Sequence, residues 1–345
     1  MAHVTETGLD ASRRLRRAIE SVLAGRSAAS LLPSVARMTE EYRSGGVPSA
    51  PVLAGRNDVA AYAACRMPAT FAATWSALRQ VRLSLASPGP SSVVDLGAGT
   101  GAASWAAVDV FGSRVVTLLE QQEVAIDLGR SLAAESGSDA LASATWRTWR
   151  LASSGAAIPA AGMAVASYLL GELDPHGRAD LVACAARAAP LVVLVDAGTP
   201  AGFSRILAAR ALLVELGMAV VAPCPHDAPC PLDGAGDWCH FSTRLERSSL
   251  HRRLKGAELA YEDEKFSFVA AARGLDLDRP AARVVRHPWI RKGMVTLSLC
   301  AAGGDVRDEV VSKRQGAQYR GARDVSWGAS WPEQRAADGD RATTA

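Results

Sequence analysis

Three cysteines lie close together in one stretch of the chain, where their thiolates could bind an inorganic centre. Five residues separate Cys224 from Cys230, and eight separate Cys230 from Cys239. The prolines and glycines between them favour a loop over a helix or a strand. Such a loop can wrap its three thiolates round one metal ion or cluster. A fourth thiolate is available further along the chain at Cys300, which ends a predicted strand.

Two kinds of centre fit this donor set. Three cysteines with His226 or His240 would bind zinc, whereas three cysteines with Cys300 would bind an iron–sulfur cluster. Zinc sites usually contain two cysteines separated by about two to four residues, a spacing that this loop lacks, and four thiolates suit a [4Fe–4S] cluster. In the structural alternative these cysteines are small buried side chains, as we expect for Cys65 and Cys184 in alanine-rich helical sequence.

The second candidate site is a glycine-rich turn. Gly97, Gly99 and Gly101 follow a short β-branched run and precede a predicted helix, and Asp95 lies two positions before the first glycine. The spacing G-x-G-x-G differs from the G-x-G-x-x-G of dinucleotide sites. A carboxylate there would repel a pyrophosphate but suits a ligand with an ammonium group, such as S-adenosylmethionine (SAM). Glu120 ends the next predicted strand, where a carboxylate can accept hydrogen bonds from both ribose hydroxyls.

Together the turn and the acidic strand end resemble motif I and the second strand of the class I SAM-dependent methyltransferases. The resemblance implies an α/β, Rossmann-like, doubly wound fold with SAM as its cofactor. In the structural alternative the turn belongs to another kind of α/β protein.

A catalytic group for methyl transfer is less well marked. Enzymes that methylate base amines usually carry an Asn/Asp-Pro-Pro-aromatic loop after the fourth strand, whereas this chain has Leu-Gly-Glu-Leu-Asp-Pro-His at 170–176. Glu172, Asp174 or His176 could act as a general base there. We expect Asp174 to cap the following helix instead. The segment also lacks a cysteine nucleophile of the kind used at pyrimidine carbons.

The elements that position these residues fall into four stretches. Helical periodicity predicts an N-terminal helical region over 1–90, including one helix over Val59–Leu85. Apolar strands alternating with helices over 91–222 predict a doubly wound parallel sheet. The region 223–328 is rich in cysteine and basic residues and partly β, around residues 284–301. The tail over 329–345 is predicted to be disordered.

Composition excludes several classes of protein. The 345 residues are 49% hydrophobic and 21% charged, which is typical of a globular protein. No apolar run approaches the ~18–20 residues that span a bilayer, and the N-terminus is polar. The sequence therefore predicts neither a membrane protein nor a secreted one. We expect a cytoplasmic location with reduced thiols, and the sequence leaves the oligomeric state open.

The net basic charge lies mainly in the C-terminal third. Residues 31–240 hold 14 Lys and Arg against 18 Asp and Glu, whereas residues 241–325 hold 17 against 11. Such asymmetry indicates a polyanionic partner for the second region, or a solvated basic surface.

Several longer stretches of sequence are characteristic: VVDLGAGTG, ASYLLGELDP, and the cysteine loop with the EDEKFSF segment that follows it. They resemble the methyltransferase-like proteins of the mitochondrial small ribosomal subunit and their bacterial relatives. The likeness runs from Ala61–Thr70 to Ser312–Gly328. It implies a SAM-methyltransferase fold and a [4Fe–4S] cluster on Cys224, Cys230, Cys239 and Cys300. It also implies a role in assembly or translation of the small subunit through contact with rRNA. Asp196 stands where this family is expected to have Glu, which keeps the acidic character.

The charge distribution suits such a partner. The predicted rRNA-contacting cations are Arg244, Arg247, Arg252, Arg253, Lys255, Lys265, Lys313 and Arg314. Tyr319 or Trp327 is available to stack on an unpaired base. Alternatively, the nearby acidic residues 258 and 262–264 pair with several of these cations internally.

Three functional hypotheses follow. The first is an assembly or translation factor that binds small-subunit rRNA and carries SAM and an iron–sulfur cluster. The second is an active SAM-dependent rRNA methyltransferase with its base among residues 172–176. The third is a redox sensor that uses an exposed cluster.

Overall fold

The computed structural model describes residues 6–44, 51–151 and 158–332, so the predicted tail lies outside the described residues from 333 onwards.

An eight-stranded sheet forms the centre of the molecule. The strands of this sheet are β1 (Ser92–Leu96), β2 (Val115–Glu120), β3 (Thr145–Thr148), β4 (Met163–Ser167), β5 (Leu191–Ala197), β6 (Ala219–Ala222), β7 (Phe241–Glu246) and β8 (Tyr261–Ala272).

The strand order is β3-β2-β1-β4-β5-β8-β6. The first five strands are parallel, and β8 runs antiparallel to both β5 and β6. The strand β7 pairs with the first half of β8, so β6 and β7 follow one another along its outer side. This is the Rossmann-like topology of the class I methyltransferases, and the predicted fold class is confirmed. The sheet also takes in two strands from beyond residue 222.

Helices cover both faces of the sheet. They are α1 (Glu6–Val22), α2 (Ala28–Ser44), α3 (Arg56–Cys65), α4 (Met67–Leu83), α5 (Ala102–Phe111), α6 (Glu123–Ala134), α7 (Asp139–Ala142), α8 (Pro175–Ala188), α9 (Pro200–Glu215), α10 (Ser249–Lys255) and α11 (Ala317–Asp324). Alternate strand residues face opposite layers, as Val93 and Val94 do. One layer contains α1 and α4, and the other contains α8 and α9. Among the described residues, no helix combines the length and the apolar character needed to cross a membrane.

A second sheet follows the first and confirms the predicted C-terminal β region. It contains β9 (Ala282–Val284), β10 (Trp289–Arg291), β11 (Met294–Ala301), β12 (Val306–Ser312) and β13 (Ser330–Trp331). Its own apolar core includes Val284, Leu297 and Trp331. The segment 223–240, which carries three of the cysteines, contains no helix or strand and joins β6 to β7.

Local details differ from the sequence predictions for identifiable reasons. The predicted helix over Val59–Leu85 is two helices that meet at Arg66, because Pro68 lies in the first turn of α4 and has no backbone N–H to continue α3. The edge strand β3 was not predicted, since three of its four residues are exposed and leave no apolar run. Residues Ser330–Trp331, at the start of the predicted tail, pair with β9.

Candidate functional site

The glycine turn lies at the carboxyl end of β1, where its backbone requires glycine. Gly97, Gly99 and Gly101 have φ angles of +63°, +55° and +92°. A Cβ on Gly97 would also lie 2.8 Å from the side chain of Leu169. The turn therefore needs glycine for its left-handed conformation and for close approach. The helix α5 begins directly after it at Ala102.

Glu120 holds the turn in place from the end of β2. One carboxylate oxygen accepts a hydrogen bond from Gly99 N at 2.8 Å, and the other accepts from Gln121 N and Gln122 N at 2.8 and 2.9 Å. A carboxylate offers about four lone-pair sites, so three backbone donors leave room for about one more. Glu120 can still accept from a ribose hydroxyl, but its first role is to shape the loop.

Asp95 lies beneath the turn. It is buried, and its Oδ2 accepts hydrogen bonds from Ser104 N at 3.0 Å and Ser104 Oγ at 2.8 Å. It does not line the cavity above the glycines. In this arrangement it joins β1 to the first turn of α5 and positions the loop from below.

The pH dependence of stability tests this placement of Asp95. Burial raises the pKa of Asp95 to about 7, against the effect of the Ser104 hydrogen bonds. The folded chain therefore keeps Asp95 protonated at pH values where the unfolded chain, which releases this proton near pH 4, does not. As a result, the free energy of unfolding falls as the pH rises towards 7. In Asp95→Asn, the change in the free energy of unfolding between pH 5 and pH 8 should shrink by about 2–3 kcal/mol. Urea unfolding at the two pH values measures it, and an unchanged difference would contradict this assignment.

A cavity of about 250 Å³ opens above the glycine turn at the carboxyl ends of β1, β2 and β4. Ligands of open α/β sheets bind at this edge. Gly97, Gly99 and Glu120, three of the predicted SAM-binding residues, line it, whereas Gly101 is absent from its wall. Tyr62 and Trp149 also line the cavity, and no sequence motif marked them.

The three candidate bases have different surroundings. Asp174 is the N-cap of α8 and accepts a hydrogen bond from Gly177 N at 2.7 Å, which confirms the predicted capping role. His176 is exposed and lies 3.5 Å from Asp180 one turn later. Glu172 lines the cavity above the glycine turn, and burial raises the pKa of its carboxyl to about 7. Of these three candidates, Glu172 lines the cavity, and its raised pKa suits a general base.

A larger cavity of about 600 Å³ adjoins the first and shares Tyr168 and Glu172 with it. Tyr168 follows β4 and has a φ of +59°, a conformation rare for a bulky residue and typical of functional sites. Its hydroxyl donates a hydrogen bond to Glu264 on β8 at 2.7 Å, and Arg66 donates two more to the same carboxylate. Asp196 lines this cavity too and forms a buried bidentate ion pair with Arg205.

The four predicted cysteine ligands line one small apolar cavity of about 30 Å³. Cys224, Cys230 and Cys239 reach it from the loop between β6 and β7, and Cys300 reaches it from β11 of the second sheet. All four are free thiols. Within the described ranges, no three or more His, Cys, Asp or Glu side chains are grouped so as to hold a metal ion. The Nε2 atom of His226 lies 3.4 Å from the Sγ of Cys300.

Two buried arginines flank this cavity. Arg283 is 1% exposed and donates hydrogen bonds to the carbonyls of Pro223 and Gly328. Arg210 donates to the carbonyls of His226 and Ala228, while its Nε is buried and has no hydrogen-bond partner in the part of the chain that the structure describes. At Cys224 both cations oppose the effect of burial, which is the main cause of the raised pKa of this thiol. Burial also raises the pKa of Cys300 to about 12. These contacts would stabilise negative charge on the sulfurs.

The predicted RNA-contacting cations form separate groups. Arg244 pairs with Asp263 at 2.7 Å, and Arg247 pairs with Glu262 at 2.9 Å, as the alternative of internal pairing predicted. The other predicted cations have no ion-pair partner among the described residues. The last turn of α10 contains Arg252, Arg253 and Lys255. The larger cavity is bordered by Lys255 and Lys265, and β12 is followed by Lys313 and Arg314. Trp327 is packed against His240 and Phe241, so its ring is less available for stacking than predicted.

Comparison with known proteins identifies the family. The model of the family described as "Mitochondrial small ribosomal subunit Rsm22" matches residues 56–332. The chain belongs to this family. Among the proteins similar to this chain, the human "Ribosome assembly protein METTL17, mitochondrial" is 28% identical over 288 residues, which cover 77% of this chain and 61% of the human protein. The fission yeast "Rsm22-cox11 tandem protein 2, mitochondrial" is 27% identical over 183 residues, which cover 41% of this chain and 24% of the yeast protein.

These matches correct one prediction. The cytoplasmic location expected from the sequence is wrong, because these relatives are mitochondrial proteins and point to mitochondria instead. The chain spans about 61% of the human protein and a quarter of the yeast protein. Among solved structures, the precorrin-6y C5,15-methyltransferase of Geobacter metallireducens is 14% identical, with a TM-score of 0.37, and the match covers 59% of this chain and 86% of that one.

Proposed function

We propose that this Rsm22-family chain is an assembly factor of the small ribosomal subunit that binds rRNA, SAM and a [4Fe–4S] cluster. The observation that carries the proposal is the convergence of four free cysteines, three from one loop and one from a separate sheet, on a single cavity flanked by buried arginines. The printed name of the human relative, a ribosome assembly protein, supports the ribosomal part.

The chemistry of the donor set supports a cluster ligated by four thiolates, and its binding would have to draw the sulfurs closer together, because the described residues are not grouped as a metal site. Such a centre carries net negative charge, which Arg210 and Arg283 would balance, and the unpartnered Nε of Arg210 would find an acceptor in a cluster or ligand sulfur. The cluster would supply a rigid link between the 223–240 loop and the second sheet, and a one-electron redox centre. Zinc held by three cysteines and His226 is the alternative that metal analysis distinguishes.

The proposed rRNA-contacting region is the stretch 223–328 predicted from the sequence. Its unpaired cations supply charge for phosphate binding, and each contact makes the affinity fall more steeply with salt. Arg244 and Arg247 are committed to carboxylates on β8, so we propose that they shape this surface while Arg252, Arg253 and Lys255 contact phosphates. The direct test is co-sedimentation of the chain with small subunits at increasing salt. Absence from the subunit fraction at low salt would refute the proposal.

SAM is proposed to bind above the glycine turn, and Gly97→Ala tests this. The new Cβ would meet Leu169 at 2.8 Å in the wall of the cavity, so we expect SAM affinity to fall about tenfold or more by calorimetry, since ~1.4 kcal/mol is a factor of ten. Gly112→Ala is the matched control, because Gly112 has a similar φ of +65° and no atom within 4 Å of its Cβ position. Equal losses in both variants would contradict a SAM site at Gly97.

The same variant separates the two leading functions. We propose that an assembly factor with blocked SAM binding leaves the rRNA modification pattern complete, whereas an rRNA methyltransferase leaves one defined nucleotide unmethylated. The catalytic alternative is favoured by the position of Glu172 between the two cavities, with its pKa raised to about 7. Mapping rRNA methylation in cells that carry Gly97→Ala or Gly112→Ala decides between them.

A further inference from the structure

One face of the second sheet exposes an aromatic and apolar surface to solvent. Trp289 on β10 is 57% exposed, Val310 on β12 is 54% exposed and Met294 on β11 is 42% exposed. Exposed apolar side chains that adjoin one another on a rigid element usually mark a binding surface. None of the sequence motifs considered above includes Trp289.

The strand register places these side chains on the same side of the sheet. Trp289 is opposite Thr296, which is opposite Val310, and in the neighbouring row Arg291 is opposite Met294. Residues two apart on a strand share a face, so both rows belong to one surface. We call this surface, formed by Trp289, Arg291, Met294, Thr296 and Val310, the Trp289 face.

Arg291 stacks on the indole of this face. Its guanidinium carbon lies 3.4 Å from the centroid of the Trp289 ring. The cation covers one face of the ring, while Trp289 as a whole stays more than half exposed. A solvent-facing aromatic ring and a guanidinium plane are both groups on which unpaired bases stack.

Four cations gather at the same end of the sheet. Lys292 lies in the turn between β10 and β11, and the backbone N of Lys313 donates a hydrogen bond to Gly293 O at 2.8 Å, which brings the end of β12 to that turn. None of Arg291, Lys292, Lys313 and Arg314 has an ion-pair partner within the part of the chain that the structure describes. Their charge is therefore available to a polyanion.

We infer that the Trp289 face binds an unpaired segment of RNA, with one base stacked on Trp289 and the flanking phosphates held by the four cations. The inference rests on the proposed rRNA partner and adds a binding site to it. Charge complementarity selects this occupant, because a ring with unpaired cations on one side matches bases joined by phosphates. Asp308, the acidic residue on this side of β12, is hydrogen-bonded to Ser298.

Binding of a labelled RNA of about 12 nucleotides by the full chain tests the inference, with the same RNA annealed into a duplex as comparison. Trp289→Ala should weaken single-strand binding about 5- to 150-fold and leave duplex binding unchanged, and Trp289→Phe should keep most of the affinity. The double variant Lys313→Ala/Arg314→Ala should lower the slope of log affinity against log salt by about 1.4. Leu83→Ala removes a comparably exposed side chain from α4 and should change nothing.

Equal single-strand affinity in Trp289→Ala and the wild type would overturn the inference. Wild-type protein that binds no single strand, or whose Trp289-dependent binding is to vesicles of anionic lipid, would overturn it too. The proposed function is tested separately by co-sedimentation with the small subunit. A chain that binds the oligonucleotide through Trp289 but fails to co-sediment would refute the function and keep this site, and the converse would refute this site alone.

Discussion

Replacing Cys300 by serine is expected to remove the proposed iron–sulfur cluster and abolish the proposed association with the small subunit. Cys300 lies on β11 of the second sheet, whereas the other three proposed ligands belong to the loop before β7. Loss of this thiolate removes the proposed inorganic link between the two pieces. The C-terminal sheet should then become sensitive to protease, while the main sheet keeps its ladder from β3 to β6.

The measurement is iron content together with co-sedimentation on small subunits. Cys184→Ala is the matched control, because Cys184 lies on α8 outside the cysteine cavity and should keep both iron and association. Cys230→Ser is a second variant at a half-buried loop position, where a general folding defect is less expected. Association that persists when all four cavity cysteines are replaced would refute the link between cluster and ribosome binding.

Replacing Glu172 by glutamine should leave association with the small subunit intact. If the chain transfers methyl groups, the same change should lower the methylation rate by about 10²–10⁴-fold, the usual contribution of a general base. Glutamine keeps the size of the side chain and removes its ability to accept a proton. His176→Ala is the control, since His176 is exposed beside the same helix start.

The pH profile adds a second criterion for Glu172. Burial raises the pKa of this carboxyl to about 7, so the ionised form that accepts a proton grows as the pH rises through 7. Wild-type methylation should therefore rise over that range and level off above it. A methylation rate equal in Glu172→Gln and wild type would exclude Glu172 as the base. Loss of subunit association in this variant would contradict a role of Glu172 in proton transfer alone.

Much of the fold could be predicted from apolar patterning. The apolar runs predicted as strands form the buried strands β1, β2, β4 and β5. Their successive side chains pack alternately against the two helical layers, as expected for a parallel sheet covered on both sides. The edge strand β3 has no such run. Strands β7 and β8 belong to the same sheet because of long-range pairing, which local patterning beyond residue 222 does not encode.

The candidate site was predictable where chemistry imposes a residue type. Gly97 is required by its φ and by Leu169, and Asp174 caps α8 as its position before a proline indicates. The downward orientation of Asp95 towards Ser104 depends on tertiary packing, so spacing alone suggested a ligand contact instead. No sequence pattern marked Trp289, because its exposure on one face of the second sheet depends on how the strands pair.

The proposed cluster is tested most directly by the iron and acid-labile sulfide content of the chain purified without oxygen. Four free thiols round one cavity with two buried arginines predict a coloured protein with about four iron and four sulfide per chain. A colourless protein that contains zinc, or neither iron nor sulfide, would contradict the central claim that one cluster joins the cysteine loop to the second sheet.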